Sequence, residues 1–190
     1  SGAQFLDGTV SLVSLRLCRK SSGSMALCRA YSFDFSLDGE QRRSGTVSMQ
    51  AQAIVDLVLD IVDALAEHPV QLVMLGSGER SLEQQLRNAA KGHPKQLAVH
   101  IGYDEQLAHR IEAGADVLLM PSRYEPCGLN QLYSQLYGTI PIVRRTGGLA
   151  DSIVDFNQQT LDDHTATGFC FDEDSPEALL ATCLSALSLY

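Results

Sequence analysis

The sequence predicts an α/β fold in which a parallel sheet is covered by helices on both faces and is preceded by a small antiparallel β-meander. Three observations lead to this prediction. The first 50 residues alternate polar and apolar with a period near two, which is typical of strands. The remainder alternates short apolar runs with helical stripes, the pattern of βαβ units. Open turns follow the apolar runs, and such turns meet at one edge of a parallel sheet.

The N-terminal segment is predicted to be the meander. Two strands are expected in "GTVSLVSLRLCRK" and "ALCRAYSFDFSL", a hairpin at Asp38-Gly39, and a third short strand in "SGTVSMQ". We therefore divide the chain into a meander over 1–45 and an α/β domain over 46–190.

The third strand has two possible places. It can lie in the middle of the main sheet, parallel to residues 71–75, with Val47 and Met49 buried. Alternatively, all three N-terminal strands form a separate antiparallel sheet, and the main sheet lacks a strand. The first arrangement is favoured because 45–50 lies directly before a helix, so a right-handed crossover would lead to the next strand. The second would leave an exposed sheet edge or cleft face through which the chain could self-associate.

The rest of the chain is an alternation of helices and strands. Apolar residues between Ile54 and Leu65 recur at helical spacing. Ser175 followed by Pro176 marks the start of the last helix. The predicted strands are "VQLVMLG", "QLAVHIG", "ADVLLMPS", "TIPIVRR" and "TGFCFD", and the helices that follow them are "SLEQQLRNAAKGH", "EQLAHRIEAG", "LNQLYSQLYG", "LADSIVDF" and "SPEALLATCLSALSLY".

Composition excludes several classes of function. The chain has 190 residues, 45% of them hydrophobic, a formal charge of −9 and no basic tract, which argues against nucleic acid as a partner. Its five cysteines are scattered without a CxxC pair, which argues against a zinc site and for a reducing compartment. There is no signal-peptide pattern and no apolar run near the roughly 20 residues of a membrane span. We expect a cytoplasmic protein with no metal and no cofactor.

The turns after the strands carry the candidate chemistry. Glu125 lies in the turn after "ADVLLMPS", and a second open turn spans 146–148. A carboxylate accepts hydrogen bonds from sugar hydroxyls, and the amides of Gly128 and Leu129 at a helix start can hold a phosphate. Together they suit a nucleotide sugar. The alternative is that Glu125 caps the helix and the glycines only form turns.

Longer motifs resemble a known family. The stretch from "GYDEQLAHRIEAG" through "SRYEPCGLNQLY" to "YGTIPIVRRTGGLADSI" closely resembles the C-terminal domain of bacterial glycogen synthases and plant starch synthases, and the similarity runs from Val55 to Tyr190. The resemblance implies a Rossmann-like domain, one half of a GT-B fold, from a retaining glucosyltransferase. Such enzymes transfer glucose from ADP-glucose to the non-reducing end of an α-1,4-glucan.

The same resemblance implies roles for individual residues. Glu125 would bind the hydroxyls of the donor glucose, and Tyr103 would stack on the adenine. Asn130 stands where the family usually has Thr or Ile, which is tolerable if the backbone amide makes the contact. The implied donor-binding positions are Tyr103, Cys127, Gly128, Leu129, Asn130, Thr146 and Gly147. Cys127 could instead be a reactive thiol, but without a base in view we interpret it as a packing and backbone position.

Arg144 and Arg145 admit two interpretations. They could clamp the donor, or they could orient the neighbouring loops through ion pairs. The structural role is favoured.

The sequence also departs from the family. Ser48 and Ala53 stand about where the family has an arginine and a lysine that hold the diphosphate, Ile54 replaces a glycine of the same motif, and no counterpart of the family's N-terminal domain is visible. We therefore expect no glucosyl transfer by this chain alone. Besides an active glucosyltransferase half, a vestigial remnant and a nucleotide-sugar-binding module stay open. Residues 1–50 are similar to a small uncharacterised membrane-anchored bacterial family, so the chain resembles a chimera, whether by natural fusion, gene rearrangement or engineering.

Overall fold

The computed structural model describes the backbone of residues 10–17 and 49–189 and the side chains of residues 54–189. Within these ranges the helices alternate with strands as the sequence predicts. The strands are β1 (Val10–Leu17), β2 (Val70–Gly76), β3 (Leu97–Ile101), β4 (Val117–Met120), β5 (Ile140–Arg144) and β6 (Phe169–Phe171). The helices are α1 (Met49–Ala66), α2 (Arg80–Gly92), α3 (Glu105–Gly114), α4 (Asn130–Tyr137), α5 (Gly147–Ser152), α6 (Gln158–Asp162) and α7 (Pro176–Ser188).

The described strands form one six-stranded sheet in the order β3-β2-β1-β4-β5-β6. β2 and β3 pair in parallel, as do β4 with β5 and β5 with β6. The central strand β1 is antiparallel to both of its neighbours, β2 and β4. β2 and β4 therefore run in the same direction, and β1 alone is reversed.

The predicted place of the third N-terminal strand was wrong. Met49 is the first residue of α1 and not part of a strand. The run Met49–Ala53 consists of Met, Gln and Ala, which are strong helix formers and extend α1 backward into the predicted strand. The position beside β2 is taken by β1 instead, where Leu15 pairs with Leu72 and also with Val117.

β1 belongs to the segment for which a separate meander was predicted, and it lies inside the main sheet. The other predicted parts of the meander, at 27–35, at Asp38-Gly39 and up to Val47, lie outside the described residues. The division into domains at residue 45 stays a prediction. The gap that the second arrangement would have left between β2 and β4 is filled by β1.

The core lies on both faces of the sheet, which confirms the predicted α/β class. Alternate residues of each strand face opposite sides: in β4, Leu119 packs with α1, α2 and α7, whereas Leu118 packs with α3 and α5. Both residues are at most 2% exposed. The last helix starts as predicted, because the Ser175 side chain accepts a hydrogen bond from the Ala178 amide at 3.2 Å. None of α1 to α7, the helices of the described part of the chain, is long and apolar enough to cross a bilayer.

Candidate functional site

The four predicted turns lie at the carboxyl ends of β2, β3, β4 and β5. Because these strands are parallel to one another, their turns share one edge of the sheet, as the sequence predicts. Backbone hydrogen bonds join the turns in two pairs. The Gly102 amide donates to the Gly76 carbonyl at 2.8 Å, and the Gly148 amide donates to the Glu125 carbonyl at 2.9 Å.

Glu125 lies in the turn between β4 and α4 and is partly buried. Its Oε1 accepts a hydrogen bond from the Gly128 amide at 3.2 Å. The sequence had suggested that this amide is free to hold a ligand, whereas in the structure it has a partner within the turn. Gly128 has φ 63°, a conformation that favours glycine. Glu125 therefore makes the kind of contact expected if it caps the start of the helix. This contact is compatible with a contact to sugar, because a carboxylate has two oxygens and about four acceptor positions.

Gly147 and Gly148 allow the second turn to approach the Glu125 turn closely. A Cβ atom on Gly147 would collide with the Glu125 carbonyl oxygen, and one on Gly148 would collide with the Cys127 carbonyl oxygen. Glycine is therefore required here for contact between two backbones as well as for the turn itself. The result is a continuous surface made by two βα turns.

A buried amide, missed in the sequence, connects the same two turns. Gln131 is fully buried in the first turn of α4, and its Nε2 donates to the Ser152 Oγ of α5 at 3.1 Å. Ser134, one turn further along α4, is also fully buried. The spacing of three between two polar residues on the buried face of a helix was the signal that could have identified them.

Arg144 and Arg145 have structural partners, as favoured in the sequence. Arg144 donates through Nη1 to the Arg123 carbonyl at 2.8 Å, so it orients the Glu125 turn through a backbone contact and not through an ion pair. Arg145 forms the predicted ion pairs, with Asp155 at 3.3 Å and Asp172 at 3.0 Å. Both guanidinium groups hold loops of the sheet edge together.

The other implied positions lie on the same edge. Tyr103 follows β3 and is 63% exposed. Leu129 precedes α4 as its N-cap residue, and Asn130 is the first residue of that helix. Thr146 precedes α5, with its Oγ1 3.4 Å from the Arg123 carbonyl. The fold thus brings the predicted residues to one edge, while their contacts with a ligand stay predictions.

The described cysteines differ in environment. Cys127 is exposed in the Glu125 turn. Burial raises the pKa of the Cys170 thiol to about 11 and that of the Cys183 thiol to about 12, so both remain protonated near neutral pH. No group of three or more His, Cys, Asp and Glu side chains in the described residues is placed to hold a metal ion.

Two families match different parts of the chain. Residues 48–190 match the family Glycosyl transferases group 1. Residues 1–61 match a family described as a protein of unknown function, DUF3301. The two matches overlap over residues 48–61, which include the N-terminal part of α1.

Bacterial glycogen synthases are among the similar proteins. The chain is 58% identical over 135 residues to the glycogen synthase of Nitrosospira multiformis, covering 71% of this chain and 27% of that protein. It is 49% identical over 168 residues to the glycogen synthase of Dechloromonas aromatica, covering 88% of this chain and 34% of that protein. The chain thus spans about a third or less of the length of these relatives.

Similar folds occur in solved structures. The catalytic domain of starch synthase IV from Arabidopsis thaliana, bound to ADP and acarbose, has a TM-score of 0.67 and 30% identity, covering 73% of this chain and 29% of that one. HepE from Anabaena, in complex with UDP-glucose, has a TM-score of 0.51 at 16% identity over 72% of this chain and 36% of that one. The second similarity concerns the fold alone. Together they match the α/β architecture predicted from the sequence.

Proposed function

This chain belongs to the family Glycosyl transferases group 1, and from that premise we propose that it is the donor-binding half of a glycogen-synthase-like glucosyltransferase. The proposed donor is ADP-glucose, and the proposed acceptor in the intact enzyme is an α-1,4-glucan. The similarity to glycogen synthases at 49–58% identity supports this assignment. So does the ADP-bound state of the related starch synthase IV.

The Glu125 turn, held against the turn at Gly147 and Gly148, is the observation that carries the proposal. A carboxylate and the start of an eight-residue helix lie within one turn of chain. A carboxylate suits the neutral hydroxyls of a sugar, and a helix N-terminus suits a diphosphate. The exposed ring of Tyr103 on the same edge is suited to stacking on a nucleobase. These three chemistries match the three parts of ADP-glucose.

A second candidate function is nucleotide-sugar binding without transfer, and the direction of β1 favours it. β1 ends at Leu17, opposite Val70 at the start of β2, so its carboxyl end lies at the edge away from the site. The central strand therefore contributes no βα turn to the candidate site. The family's arginine and lysine come from such a turn, and here Ser48 and Ala53 stand at those positions.

Calorimetric titration with ADP and ADP-glucose, beside a transfer assay on a maltooligosaccharide, separates these candidates. We expect weak binding, because each absent charge-assisted phosphate contact costs about 1.5–3 kcal/mol. We expect no transfer by this chain alone. Transfer by highly purified protein would exclude the binding-only candidate, and no binding of either ligand would contradict both.

Variants of Glu125 and Tyr103 test which part of the ligand each residue contacts. Glu125→Gln retains an oxygen that can accept from the Gly128 amide but loses the charge, so it should weaken ADP-glucose binding more than ADP binding. Tyr103→Ala should weaken both, while Tyr103→Phe retains the ring and should bind as the parent does. An ADP affinity unchanged by Tyr103→Ala would show that the stacking role is wrong.

The location of the protein and its association state are further parts of the proposal. We propose a cytoplasmic location because the scattered cysteines show no disulfide pattern. Self-association through a sheet edge or cleft face stays a prediction, and the molar mass in solution measures it.

A further inference from the structure

The buried side chain of Gln131 contacts two peptide units just before α4, Cys127–Gly128 and Gly128–Leu129. Its Nε2 lies 3.2 Å from the Cys127 carbonyl oxygen and 3.1 Å from the Gly128 carbonyl oxygen. The same nitrogen donates to Ser152 Oγ at 3.1 Å, and that hydroxyl donates to the Gly148 carbonyl at 2.6 Å. One amide group therefore connects the Glu125 turn to the turn at Gly148.

Packing alone does not explain an amide at this position. Gln131 is fully buried, and its Oε1 has no hydrogen-bond partner among the described residues. An unpartnered buried acceptor is costly, and an apolar side chain of similar size would avoid that cost. The opposite orientation of the amide would place Oε1 against two carbonyl oxygens, so the orientation with Nε2 toward the carbonyls is the one that bonds. Hydrogen bonding of Nε2 to its surrounding acceptors therefore explains why an amide side chain is buried at this position. These acceptors are the two carbonyl oxygens and Ser152 Oγ.

The geometry of the peptide bond transmits this contact to the donor site. The described residues contain no cis peptide bond, and in a trans peptide the carbonyl oxygen and the next amide hydrogen point in opposite directions. Holding the Cys127 oxygen inward thus directs the Gly128 amide outward. Holding the Gly128 oxygen inward directs the Leu129 amide outward in the same way.

Gly128 itself depends on the same contact. It has φ 63°, and a Cβ atom there would lie 2.5 Å from Gln131 Oε1. The absence of a side chain lets the Gln131 amide lie directly against the turn. Residue 128 is therefore glycine both for its backbone conformation and for the approach of Gln131.

We propose that Gln131 is a positioning residue for the donor site, which sets the direction of the Gly128 and Leu129 amides without touching the ligand. The ligand part of this inference rests on the proposed function. The part that concerns the amides does not, because it can be measured on the ligand-free chain.

Gln131→Met tests the inference, since Met is similar in length and cannot donate to the carbonyls. Gln135→Met is the matched control: Gln135 lies one turn later in α4 and donates to the Thr167 carbonyl at 3.1 Å, away from the Glu125 turn. Amide hydrogen exchange of the full chain is the first readout, and calorimetry with ADP and ADP-glucose is the second.

In Gln131→Met we expect faster exchange at the Gly128 amide, unchanged exchange in β4 and β5, and binding of ADP-glucose weakened about tenfold, the equivalent of one lost hydrogen bond. Gln135→Met should change neither quantity. Unchanged exchange at the Gly128 amide in Gln131→Met would overturn the inference, whatever happens to binding. If the parent chain binds neither ligand, the proposed function fails, and exchange still decides the positioning role.

Gln131→Glu provides a second, pH-dependent test in case the Met variant does not fold. A protonated carboxyl can still donate to one carbonyl, whereas a carboxylate cannot donate to any. Exchange at Gly128 in this variant should therefore be slow in acid and accelerate, relative to the parent, as pH rises. A ratio to the parent that is independent of pH would contradict the role assigned to the amide hydrogens.

Discussion

The two sides of the sheet edge are built differently, and β1 separates them. On the β4–β5 side, the turns after the strands are joined by the bond between Gly148 and Glu125 and by the buried amide of Gln131. On the β2–β3 side, the Gly102 amide donates to the Gly76 carbonyl. Tyr103 extends from that side with 63% of its surface exposed.

This difference matches the parts of the ligand proposed for each side. A sugar and a diphosphate require several hydrogen bonds in fixed directions, so a cross-linked turn lowers the cost of ordering the site on binding. A nucleobase that stacks on an aromatic ring is recognised by its face and tolerates small displacements of the ring. In the proposed assignment, the β4–β5 side would make the directional contacts, and the β2–β3 side would make the stacking contact.

The largest expected effect comes from breaking the strand between the two sides. Ser14 pairs with Val73 of β2 and Leu118 of β4. Ser14→Pro removes a ladder amide from a central strand, and we expect a loss of at least about 2 kcal/mol in the free energy of unfolding. Urea unfolding followed by circular dichroism measures it.

A proline at the start of α2 is the control for that variant. Arg80 is the first residue of α2, where the amide has no intrahelical partner. Glu79 before it has φ −67° and ψ 143°, a conformation compatible with a following proline. Arg80→Pro should leave stability nearly unchanged. Equal stability of Ser14→Pro and the parent would show that β1 does not hold the two sides together.

A smaller effect is expected from separating the two turns on the β4–β5 side. Gly148→Ala places a Cβ atom against the Cys127 carbonyl oxygen, and we expect a loss of about 1–3 kcal/mol as the backbones move apart. Gly114→Ala is the control, because a Cβ atom there meets no other atom within 4 Å. A melting temperature for Gly148→Ala equal to that of the control would mean that the close approach is not required.

The smallest effect concerns Glu112 of α3, the helix that follows β3 in the chain. The backbone carbonyl of Glu112 accepts a hydrogen bond from the Thr139 hydroxyl, which lies just before β5. Burial raises the pKa of the Glu112 carboxyl, and nearby His109 opposes this. Because the folded pKa lies above the unfolded one, the stability that this group contributes is present in acid and is lost as pH rises through the folded pKa.

Glu112→Gln should therefore be slightly more stable than the parent at pH 7, and the difference should decrease as the carboxyl becomes protonated in acid. Thermal melts of both proteins from pH 4 to pH 7 measure it. The control is Glu105→Gln, the same substitution at an exposed position of the same helix. A parallel pH dependence of Glu112→Gln and the parent would contradict the role assigned to burial.

Local pattern predicted much of this fold. The stripe in α1 and the apolar runs of β2 to β5 identified those elements, since a helix and a strand each impose a period on the residues they bury. The short helix α6 was not predicted. It is held by a capping box between Asn157 and Thr160, a local signal without an apolar stripe to reveal it.

The α/β class, the convergence of the turns and the placement of Glu125 and Tyr103 on one edge follow from sequence pattern, because a parallel sheet brings all such turns together. Which N-terminal strand enters the sheet, and in which direction, depends on contacts between distant segments and was visible only in the folded chain. Strand pairing depends on segments that are distant in the chain. The helix-forming run that starts at Met49 belongs to α1, so the predicted third strand at 45–50 does not take the central place in the sheet. The tertiary structure also decided the contacts of Gln131, because a buried polar side chain is explained only by the carbonyl groups that the fold places around it.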